Sequence, residues 1–77
     1  MNLDIISPEK TVYSGKAESV TLPGVIGSFT ILDRHAPIIS SLQKGTLTYS
    51  INGVKTDVNV NGGFVEVKNN NVSVCIE

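Results

Sequence analysis

The pair Asn52-Gly53, inside "GTLTYSINGVKTDVNV" (residues 45–60), constrains the fold more than any other feature of the chain. Asn-Gly is the preferred pair for a two-residue type I′ hairpin turn, because both central positions need positive φ. With that turn in place the register follows. Ile51 faces Val54, Tyr49 faces Thr56 and Leu47 faces Val58. Strand neighbours alternate, so these side chains share one face. Thr46, Thr48, Ser50, Lys55, Asp57 and Asn59 take the other face. Polarity sorts cleanly between the two, so pattern and turn chemistry agree on a hairpin.

The rest of the chain reads the same way. "GFVEVKNNNVSVCIE" (63–77) predicts a second hairpin turning at Asn69-Asn70, with Val67 facing Val72 and Val65 facing Val74. Phe64 and Cys75 then fall on the opposite face, which suggests cover on both sides of this region. Gly62-Gly63 marks a tight bend or bulge ahead of it. Towards the N-terminus, "NLDIIS" (2–7) is a strand stopped by Pro8, and "KTVYSG" (10–15) is another. "KAESVTLPG" (16–24) reads as one strand ending at the turn signal Pro23-Gly24. "SFTIL" (28–32) sets Phe29 and Ile31 against Ser28, Thr30 and Leu32, and "APIISSL" (36–42) is extended after Pro37. Short strands, frequent turns and no helical spacing predict an all-β fold, a sandwich or barrel, in one domain over residues 1–77.

Such a short chain hides only roughly 60% of the surface that it exposes when unfolded, so its own core is marginal. Its single cysteine, Cys75, cannot form an internal disulfide, and with a single histidine it cannot build a four-ligand zinc site. That leaves tight packing or a partner, and points to a subunit. Six basic and seven acidic residues are scattered and give a net charge of −1, with no basic stripe for nucleic acid. Sparse cysteine suits a reducing compartment. No apolar run approaches the roughly 20 residues that cross a bilayer, and "MNLDIISPEK" lacks the basic start of a signal peptide. The expectation is a soluble chain that meets membranes only through a partner.

Reaction chemistry finds little support. His35 sits in "GSFTILDRHAPIIS" (27–40) beside Asp33, which is placed to orient it. A nucleophile–base pair also needs a serine or cysteine on a strained turn, and no G-x-S-x-G run is present. A loop histidine that bonds locally or meets a partner is the plainer reading. Gly24 and Gly27 precede a strand, not a helix, so they are turn glycines and not a phosphate loop. Between them Val25 and Ile26 either fold back onto the core or form part of a contact patch.

In order along the chain stand Pro8-Glu9-Lys10, Ser14-Gly15, Leu22-Pro23-Gly24, Gly27, Phe29, Ile31-Leu32, His35-Ala36-Pro37, Gly45, Gly62-Gly63-Phe64-Val65-Glu66-Val67 and Asn71-Val72. This succession resembles the amino-terminal domain of the epsilon subunit of the F-type ATP synthase, over nearly the whole chain. The resemblance implies a small two-sheet β-sandwich of about ten short, mostly antiparallel strands. It also implies a non-catalytic rotor subunit without a cofactor, which clasps the gamma subunit and rests on the polar loops of the c-ring. Family positions facing gamma correspond to Ser7, His35, Ala36 and Ser40, and those touching the c-ring to Ile26, Gly27 and Ser28. Ser28 stands where an acidic residue is usual, and Asp33-Arg34 replaces the usual Pro-Gly turn. Family members continue into a two-helix hairpin that can inhibit ATP hydrolysis, and residues 1–77 end ahead of it. The implied location is peripheral, on the cytoplasmic face of a bacterial inner membrane or its plastid or mitochondrial equivalent. The alternative is a free-standing sandwich that binds a carbohydrate, or a peptide added at a sheet edge.

Overall fold

The computed structural model describes all 77 residues, as nine strands without a helix. They are β1 (Asn2–Ile6), β2 (Thr11–Lys16), β3 (Ser19–Gly24), β4 (Gly27–Leu32), β5 (Ile38–Leu42), β6 (Gly45–Ile51), β7 (Val54–Val60), β8 (Gly63–Lys68) and β9 (Asn71–Ile76). The hydrogen-bonded order is β2-β1-β9-β8-β5-β3-β6-β7, with β4 on the other edge of β3. Five strands, β2-β1-β9-β8-β5, form one layer, and β4-β3-β6-β7 form the other. The layers join at a single residue pair, Gly24 opposite Leu42. Every pairing is antiparallel except β1 with β9.

Both expected hairpins form in the expected register. Ile51 pairs with Val54, Tyr49 with Thr56 and Leu47 with Val58, while Val67 pairs with Val72 and Val65 with Val74. Asn52 and Gly53 take φ of 50° and 78°, as a type I′ turn requires. Asn69 and Asn70 take 51° and 60°, a conformation that Asn tolerates better than most residues. Glu18 secures the first turn from outside. Its Oε1 accepts from the Gly53 N–H at 3.0 Å and from the Ser50 hydroxyl at 3.3 Å.

The run 16–24 is not one strand. Lys16 still belongs to β2, and β3 begins at Ser19. Between them the chain changes layers. The Ala17 N–H donates to Met1 O at 3.0 Å in the first layer, and the Glu18 N–H to Ser50 O at 2.8 Å in the second. Pro23 and Gly24 also lie inside β3, not in a turn after it. Pairing with β6 ends at Thr21, so the missing Pro23 N–H breaks no β6 ladder bond. The turn is Val25-Ile26, closed by Gly24 opposite Gly27.

One cluster of 16 buried apolar residues fills the space between the layers. Leu3, Ile5, Val65, Val67, Val72, Val74 and Ile76 come from the five-stranded layer. Val20, Leu22, Ile31, Leu47, Tyr49 and Val60 come from the four-stranded one. Tyr13 and Tyr49 pack across the gap with ring centroids 4.7 Å apart and planes tilted by 31°. The outer face of β8 and β9 is not covered, contrary to the expectation: Phe64 is 49% exposed.

At Gly63 the fold tolerates no side chain. Its φ is +135°, and a Cβ there would lie 2.0 Å from Cys75 O. At Gly53 φ is +78°, but a Cβ would meet nothing within 4 Å. Gly53→Ala should therefore cost only the left-handed strain, about 1–2 kcal/mol. Gly63→Ala should cost more, about 3 kcal/mol or above, since backbone must also move. Urea unfolding followed by circular dichroism will order the two variants this way.

Candidate functional site

Adjacent apolar pairs on a strand place one member outside, because side chains alternate. Ile5-Ile6 and Ile38-Ile39 are such pairs. Ile5 is buried and Ile6 is 44% exposed, while Ile39 is 76% exposed beside a half-buried Ile38. The tip Val25-Ile26 is likewise turned to solvent, so it forms surface and does not fold back onto the core. These residues place apolar side chains in solvent.

One hollow lies where the β3–β4 turn meets β5. It measures about 440 Å³ and is lined by Gly24, Ile26, Gly27, Ser28, Phe29, Ile38, Ile39 and Ser40. No lining residue is charged. The hollow gathers Ile26, Gly27 and Ser28 with Ser40, residues 12 or more positions apart in the chain. Phe29, Ile38 and Ile39 join them, and the sequence reading did not include these. The double isoleucine was the signal for Ile39.

His35 and Ala36 lie in the loop that leads from β4 into β5. The imidazole is half-buried, and its Nδ1 donates to Ala36 O at 2.7 Å, which fixes the ring on its own loop. Asp33 does not orient it. Its carboxylate binds the Met1 ammonium instead. The turn itself is held from β8–β9, as the Arg34 N–H donates to Asn70 Oδ1 at 2.8 Å. The His35 N–H closes it by donating to Leu32 O at 3.2 Å, with Arg34 at φ 63°. Ser7 stands apart from the hollow, three strands across the layer from β5. Its hydroxyl donates to Lys10 O at 3.1 Å and accepts from the Lys10 N–H at 3.2 Å, so it shapes the turn before β2.

Few reactions suit this arrangement. No group of three His, Cys, Asp or Glu side chains could hold a metal ion. Of the aromatic side chains only Phe64 is exposed, so no two rings form an open platform for a sugar. The hollow offers uncharged, partly apolar surface on a rigid frame.

The family described as "ATP synthase, Delta/Epsilon chain, beta-sandwich domain" matches residues 1–77. The chain belongs to this Delta/Epsilon family. Among similar curated proteins, the ATP synthase epsilon chain of Leptospira borgpetersenii is 42% identical over 77 residues, all of this chain and 61% of the relative. That of Symbiobacterium thermophilum is 47% identical over 78 residues, all of this chain and 56% of the relative. The chain thus spans about three fifths of the length of these relatives. Among solved structures, a chain from the Tetrahymena thermophila mitochondrial ATP synthase central stalk and c-ring superposes with a TM-score of 0.84 at 20% identity. It covers 99% of this chain and 62% of that one. A chain from the Euglena gracilis mitochondrial ATP synthase OSCP/F1/c-ring assembly gives 0.90 at 19% identity, over 96% of this chain and 48% of that one. At such identities these two likenesses speak for the sandwich fold.

In this member of the Delta/Epsilon family the Asp33 link has a pH signature. The Met1 ammonium, through its hydrogen bond and then its charge, holds the Asp33 carboxyl below the usual carboxylate range. Desolvation opposes this, and the Arg34 charge and a hydrogen bond with Asn70 reinforce it. A carboxylate with a depressed folded pKa stabilises the fold above its unfolded pKa of about 3.9 and loses that effect as pH falls through the folded value. Asp33→Asn should therefore be less stable than the parent at pH 7. The gap in urea midpoint should narrow once pH drops below about 4, as the parent's own carboxylate takes up its proton.

Proposed function

We propose that this chain is the sandwich part of a non-catalytic central-stalk subunit of a proton- or sodium-translocating F-type ATP synthase. It bridges the gamma subunit and the c-ring and helps carry torque between them, so that ion flow drives ATP synthesis. Its place is peripheral, at the membrane face that carries the catalytic head, and it reaches the membrane only through the complex. The family membership supports the stalk assignment. The observation that carries the bridging role is the convergence of two surfaces: the tip 26–28, offered to the polar loops of the c-ring, borders the same hollow as Ser40, offered to gamma.

The physical case is one of rigidity. The tip is closed by the Gly24–Gly27 pair and tied to β5, with the Val25 N–H donating to Ser41 O at 3.2 Å. The loop before β5 is stiffened by Pro37 and pinned by Asn70. Surfaces already fixed in their bound shape lose little entropy on docking. His35 and Ala36 present the entrance of that loop to gamma, and Ser7 presents the far corner of the same layer.

Calorimetric titration of the chain with gamma tests this. The unaltered chain should bind. His35→Ala and Ser40→Trp should each weaken binding by about 1–2 kcal/mol, the size typical of a central interface residue. Ile26→Asp should weaken capture of the c-ring. No heat of binding from the unaltered chain would overturn the assignment.

A further inference from the structure

Four strands leave an edge open: β2 and β7 at the ends of the order, β4 beyond β3, and β5 over most of its length. Open edges invite foreign strands, and proteins blunt them with charge or with bulges. β2 carries Lys16 and breaks register with β1 between Ile5 and Ile6. β7 carries Lys55 and Asp57. β4 (GSFTIL) and β5 (IISSL) carry no charge at all. The two undefended edges border the same neutral hollow.

The direction of the β5 backbone can be read from its junction with β3. The Val25 N–H donates to Ser41 O, and the Gln43 N–H donates to Pro23 O at 2.8 Å. Residues 41 and 43 therefore point their polar backbone towards β3. Successive residues point to opposite sides, so Ile39 and Pro37 point the same way, while Ile38, Ser40 and Leu42 point into the ladder with β8. Yet β3 has turned back at Val25-Ile26 and offers them nothing. The Ile39 N–H and C=O, the Ser41 N–H and the Pro37 C=O are left on an open edge. Among backbone bonds outside the ladders, none reaches Ile39 or Pro37. Pro37 fits this edge because its missing N–H would have faced outwards.

We infer that gamma is held by strand addition. An extended, uncharged segment of gamma pairs with β5 at Pro37, Ile39 and Ser41, in line with β3 beyond its turn, and lays alternate apolar side chains over Ile26, Phe29 and Ile38. This rests on the gamma-binding reading given above and adds how the binding is made. It also accounts for the placement of His35, Ala36 and Ser40: they flank this edge. Main-chain bonds supply the affinity in such a mode, and the hollow selects the side chains.

Amide hydrogen exchange, read residue by residue by NMR, tests the inference. In the free chain the Ser40 and Leu42 amides should be protected, and those of Ile39 and Ser41 should exchange rapidly. With gamma bound, Ile39 and Ser41 should slow by about tenfold or more. Ile39→Pro removes the outward N–H and spares the β8 ladder, whereas Ile39→Ala removes only the side chain. The proline variant should bind gamma about tenfold more weakly than the alanine variant, as expected for a lost interface hydrogen bond. If Ile39→Pro does not fold, the exchange result alone decides. Gamma binding that leaves the Ile39 and Ser41 amides at their free rates overturns strand addition while keeping the subunit assignment. Absence of gamma binding overturns both. Protection of Ile39 that rises with the chain's own concentration would name a second copy as the occupant and overturn the choice of gamma.

Discussion

The joint between Gly24 and Leu42 governs the shape of everything around it. Two backbone hydrogen bonds, Val25 to Ser41 and Gln43 to Pro23, tie one layer to the other there. Because the joint is a single pair, β3 leaves β5 almost at once and folds back as β4. A longer pairing would have covered the β5 edge and closed the hollow beside it. A missing one would have left no ladder bond between the layers, only the apolar cluster and the loop contacts of Met1 with Asp33 and of Arg34 with Asn70. The surface that the protein offers is thus set by how early the β3 turn comes, and Gly24 and Gly27 set that turn.

The local features of this fold were legible because their causes are local. Asn52-Gly53 and Asn69-Asn70 take positive φ without help from the rest of the chain, and each fixes the register of its two strands. Alternation then named most of the core: Leu47, Tyr49, Val65, Val67, Val72 and Val74 were all assigned to the correct face. What stayed hidden depends on residues far apart. Nothing within 16–24 announces that Ala17 bonds to Met1 while Glu18 bonds to Ser50. Pro23-Gly24 resembles a turn, and only the end of the β6 pairing at Thr21 makes it acceptable inside a strand. Asp33 resembled a partner for its neighbour His35, but its carboxylate reaches the other end of the chain.

The candidate site shows the same division. The order of the short motifs sufficed for the family, and the resemblance implied Ile26, Gly27, Ser28 and Ser40 as expected contact positions. Only the fold places them around one hollow, and only the fold adds Phe29, Ile38 and Ile39. Ser7 and His35 are more entangled with local structure than a contact role requires. Ser7 holds the 7–10 turn, and the His35 ring rests on Ala36 O. A substitution at either position changes a turn as well as a surface, whereas Ile26 and Ile39 stand clear of the frame.

The parallel pairing of β1 with β9 has a consequence for how the molecule is made. Leu3 lies beside Val72 and Ile5 beside Val74, so the first strand to leave the ribosome finds one of its two neighbours only when the ninth emerges. Until then the nascent chain carries a half-paired apolar strand, with Leu3 and Ile5 lacking the wall that will enclose them. Contacts of such long sequence separation are slow to form, because the whole intervening loop must close first. Completion of the five-stranded layer therefore waits for β9, and the interval before it is when the chain is most open to aggregation.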